Sequence, residues 1–112
     1  MITHDEIVME TLPDQCPDTS YLEQEGCEER LRQYRDGYFG FIGIRASCTL
    51  QIGTRDPNTI ILHSFKSPGL WCIESDSEPD YLKEIFNNEK SILLTMLDAI
   101  GCHPNQSSGQ AN

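Results

Sequence analysis

Four carboxylates alternate along one short run of the chain: Glu74, Asp76, Glu78 and Asp80, soon after the single tryptophan, Trp71. Carboxylates spaced this way suit three kinds of chemistry: holding a hard cation, general acid–base work, or meeting the lysines and arginines of a partner. The calcium-loop version fails on its spacing. Such a loop needs Gly at its sixth position and Glu at its twelfth, and counted from Glu74 these are Pro79 and Ile85. Partner recognition fits better. Trp71 and Tyr81 flank the run, aromatic faces beside carboxylates accept guanidinium and ammonium groups, and tryptophan is enriched in binding hot spots. Glu23, Glu25, Glu28 and Glu29 form a second acidic group. The competing reading is structural: acids at a helix N-terminus stabilise it by roughly 0.3–1 kcal/mol each.

Catalysis has thinner support. The sequence has no G-x-S-x-G, no phosphate-binding glycine loop and no H-E-x-x-H. Five cysteines (Cys16, Cys27, Cys48, Cys72, Cys102) are an odd number with no C-x-x-C, which argues against a zinc site. Cys48 and Cys72 sit in apolar strand patterns and read as small core residues. His63 alternates with Ile61 and Phe65, as a sheet-face residue would. The enzyme or ligand-binding alternative is a thiol–imidazole site near His63, Trp71 and Cys72. The expectation is a non-enzymatic protein with no catalytic residue, cofactor or metal.

The charge balance narrows the partners. The 112 residues carry a net charge of −10, unevenly spread. Residues 1–29 hold nine acids and no Lys or Arg, residues 30–73 are net +4, and residues 74–112 are net −5. Such a chain repels nucleic acid and suits a protein partner with a basic surface; acidity that merely confers solubility is the plainer alternative. No apolar run is long enough to span a bilayer. The N-terminus lacks the basic-then-apolar order of a signal peptide. Both point to a cytoplasmic protein.

The elements that must position these residues read as α+β. Residues 5–12 form a short strand stopped by Pro13, followed by a turn-rich stretch. Residues 27–36 form a short helix with acids at its start and arginines toward its end. In residues 38–52 the even positions Ile42, Ile44, Ala46, Cys48, Leu50 and Ile52 are apolar, and Arg45, Ser47, Thr49 and Gln51 are polar; this is a half-buried strand. Phe39 and Phe41 fall on its opposite face, where they are covered by another element or pack against a second copy in a homodimer. Strands over 59–65 and 70–73 complete an antiparallel meander. Ser77 and Asp80 read as a capping box, with Pro79 at the first helical position. The helix they open runs over 78–100, with an apolar stripe of Leu82, Ile85, Phe86, Ile92, Leu93, Met96, Leu97 and Ile100. Gly101 caps it. The expected fold is a three- to four-stranded antiparallel sheet with this long C-terminal helix on one face, in one domain over 1–103 with a disordered tail over 104–112. Within the acidic run, Glu78 and Asp80 are expected to serve the helix start, and Glu74 and Asp76 to be the acids least required by the fold.

Three stretches resemble small uncharacterised proteins of bacteria, bacteriophages and mobile elements: 18–26 (DTSYLEQEG), 35–46 (RDGYFGFIGIRA) and 69–77 (GLWCIESDS). The similarity covers most of residues 14–101. It implies Gly at position 72, where this chain has Cys. It carries no assigned reaction but implies a context: small acidic proteins of mobile elements often inhibit host nucleic-acid machinery, in the anti-defence or anti-CRISPR manner, by presenting carboxylates where phosphates would sit. The partner-binding residues expected on this view are Glu23, Glu25, Glu28, Glu29, Trp71, Glu74, Asp76, Glu78 and Asp80. The alternatives are a structural or oligomerisation module and the small thiol or ligand-binding domain.

Overall fold

A computed structural model describes residues 1–105, so the rest of the expected tail, 106–112, lies outside the described residues. The strand read from the 38–52 alternation is the spine of the molecule. It is β3 (Phe41–Gly53), and four other strands pair with it. β1 (Ile2–His4) and β2 (Val8–Pro13) run end to end along one edge, with Ile2 opposite Ile52 and Pro13 opposite Ile42. β4 (Ile60–Lys66) and β5 (Leu70–Glu74) run end to end along the other, with Ile60 opposite Gly53 and Ile73 opposite Ile42. β6 (His103–Pro104) lies parallel to β1.

The sheet is therefore mixed and six-stranded, larger than the three- to four-stranded antiparallel sheet expected. Two local devices account for the difference. Between β1 and β2 the Asp5 side chain accepts the Thr49 N–H at 2.7 Å while the Asp5 N–H donates to the Thr49 carbonyl, so the chain bends without releasing β3. At the far end, Gly101 (φ +71°) closes a Schellman turn. The Gly101 N–H donates to the Asp98 carbonyl and the Cys102 N–H to the Leu97 carbonyl, while Cys102 and Leu97 pack in one cluster. That turn lays His103–Pro104 along β1 and brings the Asn105 N–H to the His4 carbonyl, where a tail from residue 104 was expected.

The short helix is α1 (Glu28–Arg35) and the long one α2 (Pro79–Ala99). α2 covers the even face of β3. Leu93 and Leu97 pack on Ala46, Cys48 and Leu50, and Ile85 packs on Ile44 and Ile73. Burial there pushes the Cys48 thiol up to about 11, the mark of an inert core thiol. Ile92 and Ile100, expected in the stripe, are exposed. A charged residue outside the expected stripe is buried instead: Glu89 lies on the Ile85–Leu93–Leu97 row and is only 6% exposed.

The opposite face is covered at the end where Phe39 and Phe41 lie. Phe39 and Phe41 are buried there under a 3₁₀ turn (Ser20–Glu23) and α1, packed with Leu22, Tyr21, Leu31 and Tyr34. The homodimer surface expected from these two phenylalanines is thus already filled by the chain itself. Among the described residues, no helix is long and apolar enough to cross a membrane.

Candidate functional site

The acidic run leaves the sheet at the end of β5 and enters α2, and its four carboxylates part ways there. Arg30, on α1, reaches across to the first two. Its Nη2 donates to Glu74 Oε1 at 2.6 Å and to Asp76 Oδ1 at 2.8 Å, and its Nη1 donates to Asp76 Oδ2 at 3.0 Å. The same guanidinium lies 3.7 Å above the Phe39 ring centroid, a cation–π contact. Tyr21 donates its hydroxyl to Glu74 Oε2. Glu74 and Asp76, expected to be the acids least required by the fold, therefore fasten α1 and the 3₁₀ turn over the phenylalanine cluster. The bond to Arg30 holds the Asp76 carboxyl below its ordinary value. Burial, with the bond to Glu74 second, pushes the Tyr21 phenol up.

Glu78 and Asp80 behave in the opposite way. The capping box is not formed: the Ser77 hydroxyl donates to the Glu74 carbonyl at 2.6 Å and closes the turn. Glu78 occupies the N-cap position with no side-chain cap, and Pro79 follows it, where a missing N–H costs nothing. Both carboxylates are exposed, and neither forms an ion pair among the described residues.

Between the 3₁₀ turn, β5 and the start of α2 lies a cleft of about 450 Å³. Tyr21, Trp71 and Tyr81 supply its aromatic surface, Leu70, Cys72 and Ile73 its apolar surface, and Glu74 and Ser77 its polar atoms. Its shape comes from an irregularity in the sheet. Ile73 faces Ile42 and Leu70 faces Ile44, so Trp71 and Cys72 together oppose the single residue Gly43. This is a β-bulge. Trp71 turns its indole onto Gly43, where an added Cβ would come within 2.1 Å of the ring. Cys72 takes φ +62°, a left-handed backbone that glycine adopts without strain. Its N–H, displaced from the ladder, donates to Asp14 Oδ2 at 2.8 Å. Trp71 stays 40% exposed and Tyr81 49%.

Of the other expected site residues, Glu23, Glu25, Glu28 and Glu29 are all exposed along the 3₁₀ turn and the start of α1, and Glu29 pairs with Arg32. His63 is not brought to Cys72. It faces Leu50 on β3, eight residues along from Ile42, a separation of about 25 Å at the usual strand rise. The thiol–imidazole pair is therefore not assembled, and Cys72 Sγ instead meets the Asp18 carbonyl at 3.3 Å.

Two acids that sequence reading passed over are tied into this region. Asp14 holds the bulge, as above. Glu89 Oε1 accepts the Ser67 hydroxyl and the Gly69 N–H, each at 2.7 Å, and so ties α2 to the turn that delivers Trp71. The signal for Glu89 was present: it stands four residues after Ile85 and four before Leu93, on the apolar row. Comparison with protein-family models, curated proteins and solved structures finds no match to this chain.

Proposed function

We propose that this protein is a non-enzymatic binding module that receives a cationic side chain of a partner protein in the cleft between the 3₁₀ turn, β5 and α2. One observation carries the reading: the rings of Tyr21, Trp71 and Tyr81 line one cleft, and Glu78 and Asp80, just before Tyr81 in the chain, are exposed and form no ion pair among the described residues. An aromatic surface with an acidic rim attracts arginine and lysine through both the ring quadrupole and charge. Glu23, Glu25 and Glu28 extend the negative field along the neighbouring elements, and the net charge of −10 steers a basic partner toward it. Surfaces that bind phosphate backbones are rich in such cations, so the partner class is nucleic-acid machinery and the mode of action is competitive inhibition. The resemblance to mobile-element proteins supplies the anti-defence version of the same reading.

Trp71, being the single tryptophan, reports on the cleft directly. Its emission, titrated with an arginine-rich peptide at low salt, should change saturably. The change should weaken steeply as salt rises and vanish in a Glu78→Lys, Asp80→Lys double variant. An emission unaffected by the peptide, or an unchanged titration in the double variant, would sink the proposal.

A further inference from the structure

β4 is an edge without the usual protection. It pairs with β3 without a register break from Lys66 opposite Ser47 to Ile60 opposite Gly53, and among the described residues no strand pairs with its other side. Edge strands in soluble proteins are normally blunted by proline, inward-pointing charge, a bulge or a cover. Residues 60–65 contain no proline, no lysine and no acid, and the pairing has no bulge. Ile60, Ile61 and Leu62 are 59%, 51% and 66% exposed. Because strand residues alternate, Ile61 lies on the α2 side with Ile52, and Ile60 and Leu62 lie on the other side with Gly53 and Gln51. The hairpin that ends in this edge is braced: Asp56 accepts the Asn58 N–H at 2.9 Å and the Thr59 hydroxyl at 2.8 Å.

We propose that β4 is the edge through which two copies of this chain join their sheets, strand against antiparallel strand. Self-complementarity selects the second copy as the occupant, since one strand then satisfies both open edges, and the lack of charge along the edge permits the approach. Two molecules of net charge −10 repel over most of their surfaces. Residues 60–65 carry no carboxylate, and Lys66, at the end of the strand, is already neutralised by Glu10 at 3.1 Å. Here the two chains meet with the least repulsion. An antiparallel strand paired with its own copy is a closed, two-fold contact, so it satisfies both open edges and stops at two chains. It also sets Ile60, Ile61 and Leu62 of each copy beside apolar atoms of the other. The cleft at the far end of β3 plays no part, so this proposal and the binding proposal fail separately.

The test is the solution mass of the full chain under reducing conditions, followed as concentration rises. The wild type should move from 12.7 kDa toward twice that mass, and an Ile60→Lys, Leu62→Lys double variant should stay at the lower value at every concentration. Amide hydrogen exchange supplies a second readout that needs no variant: protection of the β4 amides should rise with protein concentration. A wild type that stays monomeric, a dimer that survives the folded double variant, or β4 protection that ignores concentration would each overturn the proposal.

Discussion

Glu74 and Asp76 share one short segment with Glu78 and Asp80, carry the same charge, and do different work. The first pair is spent inside the molecule, with oxygens of both carboxylates engaged by Arg30 and Tyr21. The second pair is exposed and forms no ion pair among the described residues, and it directly precedes Tyr81, whose ring lines the aromatic cleft. What divides them is reach. Glu74 is still in β5, beside the face that α1 must cover, whereas Glu78 has already turned toward α2 and away from Arg30. A carboxylate's role here follows from which element faces it and not from its place in a run.

Among single substitutions, the largest effect expected belongs to an acid outside the run. Glu89→Ala removes the acceptor of the Ser67 O–H and of the Gly69 N–H and opens space under α2. It should cost about 3 kcal/mol in urea unfolding. Glu89→Gln keeps an acceptor and should cost distinctly less. Equal losses for the two variants would show that packing alone matters at this position. Next is Arg30→Ala, which frees Glu74 and Asp76 together and uncovers Phe39. A loss of about 2 kcal/mol is expected, with part of it restored by lysine, which keeps the charge but loses the two-pronged contact and the stacking.

Acid should sharpen the contrast more gently. The Asp76 and Glu10 carboxyls are held below their ordinary values of 3.8 and 4.5 by bonds to Arg30 and to Arg45 and Lys66. A depressed folded-state pKa adds stability that is present above the ordinary value and is lost as pH falls through the depressed one. Urea midpoints should therefore drop as pH falls below about 4, and the Arg30→Ala variant should lose the Asp76 share of that drop. A variant curve parallel to the wild type would remove Arg30 as the cause. The smallest effect should come from Glu78→Ala with Asp80→Ala. Stability should fall by no more than about 1 kcal/mol, the share of two exposed acids at the start of α2.

Much of the fold was legible in the sequence. The alternation from Ile42 to Ile52 marks β3, and the spacing from Leu82 to Leu97 marks α2, because burial on one face imposes a period on apolar residues. Gly37 and Gly101 mark helix ends for the same kind of reason: both take the positive φ that a Schellman turn requires. The sheet's true size was not legible. β1 and β6 are three and two residues long and are held by backbone pairing, which leaves no side-chain period to read. The cleft was half legible. Trp71, Tyr81 and the acids could be singled out by type, but the bulge that lifts Trp71 onto Gly43 is a count of residues between strands. Arg30, forty-four residues before Glu74, shows no local sign of its partner.

Equilibrium urea unfolding of two double charge reversals, measured side by side, tests the division of the acidic run most directly. Glu74→Lys with Asp76→Lys sets two cations against Arg30 and should remove about 3 kcal/mol or more of stability. Glu78→Lys with Asp80→Lys should cost only about 1–2 kcal/mol, the effect of charge reversal at the start of α2. Equal losses in the two variants, or the larger loss in the second, would contradict the account.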